Sequence, residues 1–306
     1  MSRALVEEIF HALGLPPRGL VSRALGGLFS RPTRRMAEIG VTFDRLCREE
    51  GLTTASTWAL TNWCSGIRSR GAEGVPADGP LLVVSNHPGT YDALVIASEL
   101  GRPDLRIIVS DIPFLKRLPH ACGLFYFVDE EVGGRALAAR RAIRHLQSGG
   151  ALLLYGTGLI DPDPALFADA ALTFERWSRS AELFLRRAPQ TRVIPCVVSH
   201  AVAAGWVHSP LTWLRRDPID KRRLAEFGQV IQQLFRPGSL YLSPRVSFGA
   251  PLEAARLFDQ GKSSLMANLV QSERALLEEH CRAFGGPASP PSDLRPPAPS
   301  GPAVRR

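Results

Sequence analysis

The sequence predicts an α/β protein: a largely parallel or mixed central sheet flanked by helices, behind an N-terminal helical preface. Two observations carry this reading. Short, continuous apolar runs ("LLVVSN", "LRIIVS", "CGLFYFV", "ALLLYG", "RVIPCVVS") have the composition of strands buried on both faces. They alternate with helical segments such as "YDALVIASEL" and "RALAARRAIRHLQ", the order expected of a sheet covered by crossover helices. With 306 residues, 45% of them hydrophobic, the chain can bury one large core or two modest ones without disulfides or metal.

The elements follow in order. Residues 3 to 14 and 18 to 30 show helical periodicity, with Val6, Ile9, Phe10 and Leu13 in the first, Val21, Ala24, Leu25 and Leu28 in the second, and the turn "PPRG" between. Residues 1 to 40 carry six arginines against three glutamates. These amphipathic, mildly basic helices suit either packing on the main domain or lying on an anionic bilayer. Residues 33 to 50 and 53 to 65 continue the helical pattern, with Met36, Ile39, Phe43 and Leu46 along one face, until "IRSRGAEGVPADGP" marks a change of regime. Beyond the strands, helices are expected over 164 to 188, 218 to 235 and 262 to 284. The tail "GGPASPPSDLRPPAPSGPAVRR" is rich in Pro, Ser and Gly and reads as disordered. The expected division is therefore 1–65 helical preface, 66–284 α/β domain, and 285–306 tail.

Composition narrows the partners. The formal charge is +8, and only Lys116, Lys221 and Lys262 of the basic residues are lysines. Such a balance favours anionic partners. No zinc-finger, RNP or helix-turn-helix signature supports nucleic acid as that partner. Five scattered cysteines without a C-x-x-C pair suggest neither a disulfide framework nor a zinc site, and fit a reducing, cytoplasmic compartment. Glu7 and Glu8 argue against a secretory signal, and no apolar run reaches the roughly 18 residues of a membrane span. Neither a dinucleotide fingerprint, a Walker A loop nor a G-x-S-x-G elbow is present, so no cofactor is expected.

The chemistry concentrates where the strand "LLVV" breaks into "SNHPGTYD", residues 85 to 92. Pro88 and Gly89 impose a tight turn, Thr90 is the expected N-cap, and Asp92 falls in the first helical turn, where a carboxylate suits the helix dipole. Positions five apart do not share a helix face, but a turn leading into a helix can fold His87 onto Asp92. Asp92 would then fix the tautomer of His87 and raise its basicity, leaving the other ring nitrogen to take a proton from a hydroxyl. The nucleophile would be a substrate alcohol.

The arrangement S-N-H-P-x-x-x-D after an apolar strand resembles the first motif of the glycerolipid acyltransferases, the 1-acylglycerol-3-phosphate acyltransferase family. "IPFLKRLPHACGLFYFVDEE", "HLQSGGALLLYGTGLIDPDP" and "RVIPCVVS" are similar in order and spacing to the family's later blocks, over roughly residues 75 to 200. The resemblance implies that His87 is the general base and Asp92 its orienter. It also implies acyl transfer from acyl-CoA or acyl-carrier protein to a lipid acceptor at the cytoplasmic face of a membrane. Asn86, Gly89, Tyr155, Gly156, Thr157 and Gly158 are the expected substrate-binding positions, the backbone N–H groups of 156 to 158 being candidates for an oxyanion hole. The sequence departs from the family at two places. Tyr155 to Leu159 lack the glutamate and arginine of the third block, and Asp129 or Glu130 stands where the second ends in an arginine. Arg135 is the nearby replacement for a phosphate grip. A lipid-binding homologue without activity and a thioesterase using the same pair are the alternative readings.

Overall fold

The computed structural model describes residues 29–128, 132–259 and 264–286. The helix expected over 3 to 14, nearly all of that over 18 to 30, Asp129, Glu130, and the tail beyond 286 lie outside the described residues. The helices are α1 Ser30–Glu49, α2 Gly51–Leu60, α3 Asp92–Glu99, α4 Pro113–Lys116, α5 Val132–Gln147, α6 Ser180–Arg187, α7 Ala204–Val207, α8 Pro218–Phe235, α9 Ala254–Asp259 and α10 Leu265–Phe284. The strands are β1 Arg68–Arg70, β2 Leu81–Ser85, β3 Arg106–Ser110, β4 Phe125–Val128, β5 Ala151–Tyr155, β6 Arg192–Ser199, β7 Arg245–Phe248 and β8 Leu252–Glu253.

They form one mixed sheet in the order β1-β7-β6-β2-β5-β3-β4, with β8 also on β6. Strands β6, β2, β5, β3 and β4 are parallel neighbours. Strands β7 and β8 run antiparallel to β6. The expected mostly parallel sheet with flanking helices is what forms; the five apolar runs are its five consecutive parallel strands, and β1 is parallel to β7. Strands β1, β7 and β8, short and partly polar, were not legible as strands.

Strand β2 shows why a continuous apolar run is needed. Successive side chains point to opposite faces. Leu81 and Val83 join one core with Ile107, Leu153, Ile194 and Val198, covered by Ile39, Phe43 and Leu46 of α1, Leu52 and Ala55 of α2, and Val95 and Ile96 of α3. Leu82 and Val84 join a second core with Leu152, Leu154, Val193 and Val197, covered by Ala142 and Leu146 of α5, Leu185 of α6, and Leu269 and Leu277 of α10. All five residues of β2 are buried, and all five of β5. Each buried aliphatic side chain contributes roughly 1.5–3 kcal/mol relative to exposure, so a polar substitution anywhere in β2 would be costly. Helices α1 and α2 are part of the first core rather than a separate unit.

One expected element is corrected. Residues 164 to 188 do not make a single helix: Ala170–Arg176 is a 3-10 segment, Trp177 is extended, and α6 starts only at Ser180. The cause lies elsewhere in the chain. Trp177 lies flat over Gly156, where a Cβ would come within 2.1 Å of the indole, and the Ser178 N–H donates to the Gly156 carbonyl at 2.8 Å. Docking on the end of β5 outweighs the local helical pattern.

Candidate active site

Strand β2 lies at the centre of the parallel strands, between β5 and β6, and its carboxyl end is the position where open α/β sheets place ligands. Asn86 ends the strand by mimicking one more ladder residue: its Nδ2 donates to the Val198 carbonyl at 2.9 Å and its Oδ1 accepts the Val198 N–H at 2.8 Å. Both amide groups are thus used to hold the loop. The chain turns through Pro88 to Thr90, closed by the Asp92 N–H donating to the Gly89 carbonyl at 3.3 Å. The sharpness of this turn folds His87 back on Asp92, and its Nδ1 donates to Asp92 Oδ2 at 2.7 Å.

Two local expectations are revised. Thr90 does not cap α3: Tyr91 holds the cap position without a side-chain bond, and the Thr90 hydroxyl donates to Glu226 Oε1 of α8 at 3.0 Å. Gly89 does not adopt a left-handed angle. Its place is a tight one, since a Cβ there would sit 3.1 Å from Glu226 Oε1 and 3.2 Å from the Ala201 Cβ.

Asp92 is fully buried and accepts three hydrogen bonds, from His87, from the Gly89 N–H at 3.3 Å, and from the Tyr155 hydroxyl to Oδ1 at 2.6 Å. The Tyr155 ring also stacks on the His87 imidazole, centroids 4.2 Å apart and planes at 22°. Burial and the neighbouring Asp92 push the Tyr155 phenol well above its ordinary range, so it stays a donor. Tyr155 therefore meets the pair itself, fixing the carboxylate and one face of the ring. The His87 side chain keeps 26% of its surface exposed, and its Nε2 has no hydrogen-bond partner among the described residues.

The turn after β5 faces the turn after β2. Gly158 has φ 67°, the left-handed region that favours glycine. The Gly156 N–H donates to the Ser85 carbonyl at 3.0 Å and the Gly158 N–H to the Tyr155 carbonyl at 3.2 Å. Two of the three expected oxyanion donors are therefore engaged within the protein, the first by the end of the β2–β5 ladder and the second by the turn that follows β5. The Thr157 hydroxyl lies 3.0 Å from Asp161 Oδ1 and accepts the Leu159 N–H at 3.1 Å. Arg135 stands exposed in the first turn of α5 and is not among the groups that meet His87.

Four residues not singled out from the sequence complete the surroundings. Asp161 accepts the backbone N–H of His87 at 2.9 Å, while its own N–H donates to the His87 carbonyl at 2.8 Å. Asp163, two residues on, accepts the N–H groups of His200, Ala201 and Val202 at 3.0, 2.8 and 3.3 Å and so fixes the exit of β6. Helix α8 supplies Glu226, and also Arg222, whose Nε donates to the Ile160 carbonyl at 3.2 Å. Signals existed: "LIDPDP" places two carboxylates each before a proline, and Glu226, Gln229 and Gln233 fall at spacings of three and four on one face of a helix. All three of those helix side chains are buried.

Electrostatics couple these groups. Burial opposes a charge on His87 most strongly, but Asp92, then Glu226 and Asp161, outweigh it and lift the imidazole from 6.5 to about 9. Burial raises Glu226 from 4.5 to about 7 and Asp161 from 3.8 to about 6. Among the described residues no group of three or more His, Cys, Asp or Glu side chains converges to hold a metal.

Fold and geometry together define an α/β domain with a histidine–carboxylate pair at the carboxyl ends of its parallel strands. Residues 66–199, from β1 through β6, match the family model described as Acyltransferase. The similarity to that family covers this segment of the chain. Among solved structures it is similar to the 1-acyl-sn-glycerophosphate (LPA) acyltransferase PlsC from Thermotoga maritima, at 16% identity and a TM-score of 0.44, covering 82% of this chain and 80% of that one. No curated protein matches the chain.

Proposed function

We propose that the protein transfers a fatty acyl group from an acyl thioester, on coenzyme A or acyl-carrier protein, to the hydroxyl of a glycerolipid acceptor. The observation that carries this reading is the 2.7 Å contact between His87 Nδ1 and the fully buried Asp92, with Nε2 left to the solvent side. In its neutral form, whose share grows as pH rises toward about 9, His87 removes the proton of the acceptor hydroxyl through Nε2 while Nδ1–H stays on Asp92. The oxygen bonds to the thioester carbon, giving a tetrahedral oxyanion, and of the three expected backbone donors the Thr157 N–H is the one left for it, since those of Gly156 and Gly158 are engaged. Collapse re-forms the carbonyl and breaks the C–S bond. The proton held on Nε2 passes to the leaving thiolate, and the neutral histidine is restored. Protein groups form no covalent bond with the acyl chain.

The same reading assigns Arg222 to the acceptor's phosphate. It stands beside Ile160 and Asp161 at the turn facing His87, and it comes from α8, far along the chain from Asp129 and Glu130.

The test is transfer from a labelled acyl thioester to lysophosphatidate, glycerol 3-phosphate, other lyso-lipids, or no acceptor. Wild type is expected to acylate a lipid acceptor, and His87→Ala to lose the activity. Transfer that survives His87→Ala removes the base assignment, and acid release independent of acceptor turns the reading to thioester hydrolysis. Arg222→Gln is expected to raise KM for a phosphorylated acceptor about tenfold with little change for an uncharged one, the cost of one charge-assisted contact.

A further inference from the structure

Eleven large apolar side chains are exposed among the described residues, and most stand singly. At one place three fall within four residues: Leu211 is 52% exposed, Trp213 75% and Leu214 76%. They belong to a built turn. Residues Pro210–Leu214 form a 3-10 segment in which the Leu211 N–H donates to Ser209 Oγ at 3.3 Å. Thr212 is buried, its hydroxyl donating to the Ser209 carbonyl at 2.7 Å, and turning this one residue inward sends the others out. The preceding helix α7 is locked on α8, since the Trp206 indole donates to Gln232 Oε1 at 2.7 Å and its ring lies where a Cβ on Gly228 would come within 2.2 Å.

The neighbourhood is cationic. Arg215, Arg216, Lys221, Arg222 and Arg223 follow within nine residues, against Asp217 and Asp220. Both acids are engaged: Asp217 accepts the Ile219 and Asp220 N–H groups at the start of α8, and Asp220 faces Arg223 at 3.6 Å. The turn also lies toward the site. The chain leaves β6 at the sheet edge where β2 delivers His87, passes through it, and enters the helix that brings Arg222 and Glu226 to the His87 surroundings.

We propose that residues 210 to 216 are a membrane wedge: Leu211, Trp213 and Leu214 enter the acyl-chain boundary of an anionic leaflet while the arginines hold its headgroups. An aromatic ring between aliphatic side chains and arginines is the composition of a bilayer interface. A second copy of the chain fits less well, because the three side chains offer on the order of 400 Å² of apolar surface, about half of the ~800 Å² per partner that stable protein pairs bury. The wedge sets the edge carrying His87 toward the lipid, and it goes beyond the acyl-transfer reading without depending on it.

The test is co-sedimentation of the full 306-residue chain with phosphatidylcholine vesicles containing about a quarter phosphatidylglycerol. Wild type and His87→Ala are expected to bind alike. Trp213→Ala/Leu214→Ala is expected to lower the partition coefficient at least about tenfold, with an unchanged circular dichroism spectrum. Arg216→Gln should lower it about fivefold, an effect abolished in vesicles of phosphatidylcholine alone. A double variant that binds like wild type overturns the wedge, as does a wild type that ignores anionic vesicles. Analytical ultracentrifugation showing a wild-type dimer that the double substitution dissolves assigns the patch to a second copy instead. Turnover of a short-chain, water-soluble thioester should be equal in wild type and double variant. Vesicle binding lost in the double variant, in a protein that transfers no acyl group at all, leaves the wedge standing and removes only the acyl-transfer reading.

Discussion

The turns after β2 and after β5 stand side by side at the end of adjacent parallel strands, yet they are organised in opposite ways. In the first, the interacting residues are neighbours in the chain: His87 and Asp92 are five apart, and the Gly89 N–H joins the same carboxylate. In the second, Tyr155 reaches 63 residues back to Asp92, Asp161 reaches 74 back to His87, and Arg222 reaches 62 back to Ile160. The first turn makes its histidine–carboxylate contact locally, while Asn86, Thr90 and the His87 backbone tie it to β6, α8 and the second turn. The second is a scaffold assembled by the fold, so its residues can be exchanged as long as the long-range bonds are re-made.

Substitutions that act on one turn and spare the other will sharpen this contrast. The largest effect is expected at the first turn. Asp92→Asn keeps the shape but withdraws the charge that fixes the His87 tautomer, and should lower kcat/KM about 10³–10⁴-fold, read by steady-state kinetics with an unchanged melting curve as control. An activity within tenfold of wild type would show that the carboxylate is not an orienter.

Next is the pH dependence of stability, which belongs to both turns together. His87, Glu226 and Asp161 all have raised values in the folded state, so each binds its proton more tightly folded than unfolded. Their contribution is complete below the unfolded values and is lost as pH rises, through about 6 for Asp161, 7 for Glu226 and 9 for His87. Unfolding free energies from denaturant titrations should fall between pH 6.5 and 9.5 by an amount on the order of 2 kcal/mol, and His87→Gln should flatten the upper part of that slope. Free energies that rise over this interval would contradict the raised imidazole.

The smallest effect is expected at the assembled turn. Asp161→Asn retains an oxygen to accept the His87 N–H but removes one of the charges that raise the imidazole. Activity should change only about threefold to tenfold, while the pH midpoint of the rate moves down. A loss as large as that of Asp92→Asn would make the two turns equivalent and end the comparison.

Legibility in the sequence followed the range of the interactions. Strands β2, β5 and β6 are legible because burial on both faces demands an unbroken apolar run, as Leu81 to Val84 show, and β3 and β4 carry shorter apolar runs though only half-buried. Helices α8 and α10 kept nearly their expected bounds because their ends are local, with Asp217 and Ser264 capping them. The 164 to 188 segment was misread because Trp177 answers to Gly156 rather than to its own helix. Strands β1, β7 and β8 leave no such apolar run because they are only two to four residues long and partly polar, and take their conformation from the strands they pair with.

The sequence by itself determined the sheet's apolar interior and the meeting of His87 with Asp92, since burial patterning and a Pro-Gly turn act over a few residues. The tertiary structure alone decided which groups surround that pair. Asp161, Tyr155, Arg222 and Glu226 come from β5, its following turn and α8, and only the closure of a mixed sheet sets those segments beside the end of β2. Hydrogen bonds between residues more than sixty positions apart leave no period in the sequence, because their geometry is fixed by packing rather than by spacing.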